Sequence, residues 1–141
     1  MNAFMKTLLG LMLVFSGLAQ ADEKSESGWI QTASTQDFIV YLNTQIVRQG
    51  GNFVRYWVRK EFLTPQPSSD GPDFVKEVSL YAADCKAGSA AYASKLRYTK
   101  AGSVIYRASW EPNEYKFEVP PPESNEASLI KRVCVDAKPP R

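Results

Sequence analysis

Apolar residues are spaced along this chain in three different ways, and each spacing predicts a different kind of element. Leu8 to Phe15 are densely apolar, in the opening MNAFMKTLLGLMLVFSGLAQADEK. From Trp29 the pattern becomes short runs rich in Val, Ile, Tyr, Phe and Trp, in which apolar and polar residues often alternate. That period of two marks half-buried antiparallel strands. Strands are predicted near 29–34, 37–42, 45–49, 53–62, 74–84, 90–99 and 103–110. Asn43-Thr44, Gly50-Gly51-Asn52 and Lys100-Ala101-Gly102 supply tight turns, and TPQPSSDGPD, residues 64–73, reads as an exposed loop. The third spacing is helical. In SNEASLIKRVCV the residues Ala127, Ile130, Val133 and Cys134 recur on one face, Ser124 stands at the N-cap, and Lys131 and Arg132 come near the end.

Between the last strand and that helix, EPNEYKFEVPPPES is acidic and proline-rich and reads as an extended connection stiffened by three prolines. The elements add up to an α+β fold, mainly antiparallel sheet with one C-terminal helix, over residues 29–136. DEKSESG, residues 22–28, is a flexible lead-in, and residues 137–141 are expected to fray.

The opening residues change the chemistry expected of the rest. Lys6, the apolar run and Ala19-Gln20-Ala21 have the form of a secretory signal cut between Ala21 and Asp22. No cysteine stands at that cut for lipid attachment, and no later segment is apolar enough to span a bilayer. Removing residues 1–21 leaves 120 residues, one domain with a modest core, and takes the net charge from +2 to +1. A nearly neutral molecule has no global field for nucleic acid.

In an exported chain two cysteines pair. Cys85 and Cys134 would tie the end of a strand to the end of the helix, an entropic constraint of roughly 4 kcal/mol. Two cysteines with no histidine make no ordinary zinc site and give a thiol no imidazole base. The absence of histidine also removes the usual proton shuttle, and neither GxGxxG nor a phosphate loop is present. Glu111, Glu114 and Glu118 read as solvated charge in a loop. No catalytic residue, cofactor or metal is expected.

Two sets of residues are candidates for holding a partner. In FVRYWVRKEF one strand face shows Arg55, Trp57 and Arg59, and Arg beside Trp is enriched at protein interfaces. The alternative is an ordinary solvent face whose arginines stack on Trp57 and cover it. Lys95 and Arg97 alternate with Leu96 and Tyr98 and share one side of their strand, with Arg107 expected to extend the patch. Such a patch suits an acidic protein surface or a sulfated polysaccharide, or simply keeps a β-protein soluble.

The order of these features resembles the surface-adhesin protein E family of proteobacteria. The resemblance rests on Trp29 opening the first strand, the aromatic-basic strand 53–62, Asp84-Cys85, SVIYRASW ending in Trp110, VPPPES, and Val133-Cys134. It covers residues 28–135 and makes Trp29, Cys85, Trp110 and Cys134 structural landmarks, without matching any ligand-binding position. It implies a sheet of about six strands with a helix tethered by the disulfide. It implies non-enzymatic binding of host matrix and plasma proteins such as vitronectin, laminin or plasminogen, and a self-associating dimer. The missing lipid-attachment cysteine departs from the anchored surface adhesin. The alternative is therefore a periplasmic accessory, stress or small inhibitor protein with no host ligand.

Overall fold

A computed structural model describes residues 28–138, so the signal and its cut at Ala21 and Asp22 lie outside the described residues. Seven strands come first, β1 (Trp29–Ser34), β2 (Phe38–Asn43), β3 (Val47–Gly50), β4 (Phe53–Gln66), β5 (Phe74–Asp84), β6 (Ser89–Tyr98) and β7 (Val104–Ser109). One 3-10 turn, Pro112–Glu114, and one helix, α1 (Asn125–Asp136), follow. All neighbouring strands are antiparallel, in the order β1-β2-β4-β5-β6-β7. β3 also pairs with β4, along Phe53–Arg55, on the edge that β2 occupies from Val58 to Phe62. The expected sheet of about six strands and the seven segments read from the pattern thus agree: six form one path and β3 shares an edge.

β4 is the spine, and its alternation decides the architecture. Val54, Tyr56 and Val58 are buried, and with Val40, Leu42, Ile46 and Ala83 they form the core that Ile130 and Val133 of α1 close. Leu42, Val54 and Val133 have no exposed surface. The helix begins where the sequence predicts, with the Ser124 hydroxyl accepting a hydrogen bond from the Ala127 amide at 3.1 Å.

Cys85 and Cys134 are bonded, with Cα atoms 5.7 Å apart, so the helix is tied to the end of β5. Asp84 makes that geometry possible: its carboxylate accepts from the amides of Lys86 and Ala87, folding the turn that Gly88 completes at φ 66°. On the other side the Arg48 guanidinium of β3 donates to the Cys134 carbonyl at 3.1 Å.

Two expectations need correction. β4 continues past residue 62 to Gln66, which pairs with Phe74 after a break in register, so the start of the expected loop is strand. Pro65 is tolerated there because the ladder is interrupted. The tail does not fray at once either. Ala137 packs on the core, and the Lys138 carbonyl accepts from the Arg48 amide in a short parallel bridge with β3.

Candidate functional site

Residues paired directly across an antiparallel ladder share a face, so the register sorts every candidate. Arg55, Trp57 and Arg59 pair with Ala82, Leu80 and Val78 of β5 and point away from α1. Lys95 and Arg97 pair with Ser79 and Glu77, on the side of Tyr56 and Tyr81, toward α1. The two candidate sets lie on opposite faces, and no flat partner touches both. Arg107 pairs with Leu96, which pairs with Val78, so it joins Arg59 on the open face and does not extend the Lys95–Arg97 patch.

The open face is built by side chains stacking sideways. Arg59 lies over two rings at once, 4.8 Å from the centre of Trp29 and 4.5 Å from that of Tyr41, and its Nε is 3.0 Å from Glu61. A guanidinium between two aromatic faces is held by cation–π attraction and packing. With 12% of its side chain exposed, Arg59 organises the surface more than it presents itself. Arg59 therefore stacks on Trp29 and Tyr41, where the sequence suggested Trp57. Arg55 Nε is buried and finds no hydrogen-bond partner among the described residues. Next to Arg55 on the same strand face stands Phe53, 43% exposed, whose ring is 5.8 Å from that of Phe117, 39% exposed. Tyr115 completes this aromatic corner, 6.1 Å from Phe117.

The other face carries a cleft of about 690 Å³ between the sheet, the segment 114–121 and the first two turns of α1. Its floor is a row of rings: Tyr56 stacks on Tyr81 at 5.5 Å, Tyr81 meets Tyr92 at 4.6 Å, and Tyr92 meets Trp110 at 6.2 Å. Burial, helped by neighbouring Tyr92, pushes the Tyr56 hydroxyl far above its ordinary pKa; burial does the same to Tyr81, with a side-chain hydrogen bond to Tyr92 adding to it. Both rings stay neutral. Lys95 sits at the margin, its ammonium 3.8 Å above the Tyr92 ring. Arg97 is already engaged, 2.9 Å from Glu77 and stacked on Phe74 and Tyr106.

Glu114 and Glu118 are exposed, as the sequence predicts, but they also stand on the wall of a cleft, which it does not predict. Glu118 exchanges both backbone hydrogen bonds with Ala90 at 3.0 Å, so this segment runs beside β6 as an extra, very short strand. Its side chains alternate: Glu114, Lys116 and Glu118 line the cleft, while Tyr115 and Phe117 form the aromatic corner. The strict alternation of EYKFEV was the available signal.

The comparisons with known proteins bear on what such a sheet does. A family model described as surface-adhesin protein E matches residues 29–135. The chain belongs to the surface-adhesin protein E family. Membership carries with it a surface adhesin-like role, protein binding in general, and an exported or surface location. No curated relative and no solved structure matches the chain. Among the described residues no helix is long and apolar enough to cross a membrane.

Proposed function

We propose that this member of the adhesin E family binds a host extracellular-matrix or plasma protein, of the vitronectin, laminin or plasminogen type, through the open face of its sheet. The observation that carries the reading is the asymmetry of β4. One side of the strand is buried in the core that α1 closes, and the other holds Arg55, Trp57 and Arg59, half-buried within the sheet's own surface, with Phe53 against Phe117 at one end. Exposed aromatics beside arginine are what anchor a protein interface. Basic groups from three strands, Arg55, Lys76 and Arg107, stand on that face, so affinity should fall as salt rises.

The test uses charge reversal on each face. Arg55→Glu combined with Arg107→Glu should weaken binding to immobilised vitronectin, laminin and plasminogen at least tenfold and flatten its salt dependence. Lys95→Glu, on the opposite face, should leave both unchanged. Equal loss from both variants, or none from the first, rejects the open face as the binding surface. Location is tested separately by protease treatment of intact cells, with a periplasmic protein as control. Digestion of this protein while the control survives supports surface display. Survival of both until the outer membrane is opened removes the host ligand and favours a periplasmic partner.

A further inference from the structure

The cleft on the helix side is unlike the rest of the interior. Protein cores are packed as densely as organic crystals, whereas this space of about 690 Å³ falls in the size range of ligand sites. Its shape narrows the choice of occupant. The lining reaches from Thr32 and Ala33 on β1 to Trp110 just after β7, the full width of the sheet. Five strand spacings make that width about 24 Å, so the space is a long groove across the sheet. That length suits an extended segment of chain lying along the groove.

The lining narrows it further. Lys60, Lys116 and Arg132 are balanced by Glu114, Glu118 and Glu126, so the cleft selects no net charge. An acyl chain would leave the tyrosine hydroxyls of the floor facing hydrocarbon, at an energetic penalty for each. An extended peptide supplies backbone carbonyls to the hydroxyls. Aromatic grooves with hydrogen-bond donors between the rings are how polyproline-II segments are recognised, because that conformation is preformed and its carbonyls point outward. This chain already sets two prolines of its own, Pro120 and Pro121, in the wall of the same cleft.

We infer that the cleft between the tyrosine row, the segment 114–121 and α1 is a second binding site, which takes a proline-rich extended segment of a partner protein. At about 3.1 Å per residue the cleft spans seven or eight residues of such a segment. The site is on the opposite side of the sheet from the open face, and neither depends on the other.

The experiment titrates acetylated octaproline into the isotope-labelled protein and follows amide and indole N–H shifts, with a Gly-Ser octapeptide and palmitate as comparison ligands. Octaproline should saturate shifts at Trp110, Tyr92 and Ser128, and the Gly-Ser peptide should not. Ser128 is an exposed helix residue that faces the cleft, so Ser128→Trp fills the space without disturbing the core and should abolish binding. Tyr92→Ala should weaken it at least tenfold, and Arg55→Glu should leave it unchanged. Three results overturn the inference: no shifts at millimolar octaproline, binding to Ser128→Trp as tight as to the parent, or saturable cleft binding by palmitate alone.

Discussion

The two faces of β4 are made from one ten-residue stretch, FVRYWVRKEF, yet they stand in opposite relations to the rest of the molecule. On the helix side Val54, Tyr56 and Val58 are each less than a tenth exposed, sealed by Ile130 and Val133 and stapled by Cys85–Cys134. On the open side Arg55, Trp57 and Arg59 are half-buried only by one another and by their neighbours in the sheet. The difference teaches that stability and recognition are separated here by a period of two along one strand. Substitutions at even positions should register in melting curves, and substitutions at odd positions in binding curves.

The strongest way to break that separation is to release the helix. Replacing both Cys85 and Cys134 with Ser should remove about 4 kcal/mol and lower Tm by more than about 10 °C for a domain of this size, as read by calorimetry. If Tm is unchanged, the helix is held by packing alone. Ile130→Ala, which opens a cavity under the helix and leaves the disulfide in place, should cost about 2–5 kcal/mol. An equal loss from Arg107→Ala on the open face, where less than about 0.5 kcal/mol is expected, would erase the distinction between the faces.

The tyrosine row sharpens the comparison through pH. Tyr56 and Tyr81 titrate well above 10 in the folded protein and at the ordinary 10.0 when unfolded. Below pH 10 both states are protonated and stability is constant. Above it the unfolded chain releases protons that the folded chain retains, so stability falls with rising pH by about 1.4 kcal/mol per unit for each ring. Denaturant melts between pH 8 and 11.5 should show this slope. Tyr81→Phe should roughly halve it, and a variant slope as steep as the parent's would show that the rings titrate normally. The smallest expected effect is a gain. The Ser79 hydroxyl is buried on the helix side without a hydrogen-bond partner among the described residues, so Ser79→Ala should raise stability by about 1 kcal/mol. A loss of that size would mean the hydroxyl is satisfied.

Most of this fold was legible because its signals are local. Alternation located the strands from Trp29 to Ser109, helical spacing put Ile130 and Val133 on the apolar face with Ala127 and Cys134, and cysteine arithmetic located the staple. The sites were legible only in part, because a face is defined by register, and register depends on partners far away in sequence. Nothing in SKLRY says that Lys95 will point to the side opposite Arg55; the pairing of Ser79 with both Lys95 and Val58 decides it. Arg107 was misassigned for the same reason, since a break in the β6–β7 register near Arg97 and Tyr98 shifts which residues of β7 share its face. The cleft is hidden in the sequence because EYKFEV is short and runs directly into three prolines, and only one of its residues, Glu118, pairs with the sheet. Trp29 was read as a landmark, and its work beside Arg59 became visible only once β1 and β4 had been placed on either side of β2.

The position of α1 after all seven strands has a consequence for the order in which the molecule can be completed. The sheet can form from local hairpins, such as β4–β5 and β5–β6, before the helix exists. Until residues 125–136 arrive, Val40, Leu42 and Val54 form an apolar surface with nothing over it, and Cys85 waits as a free thiol. The folding chain is therefore most vulnerable to sticking and to mispairing just before the helix docks. A chain truncated before Ser124 should present a hydrophobic sheet that holdase chaperones retain and that the intact chain hides.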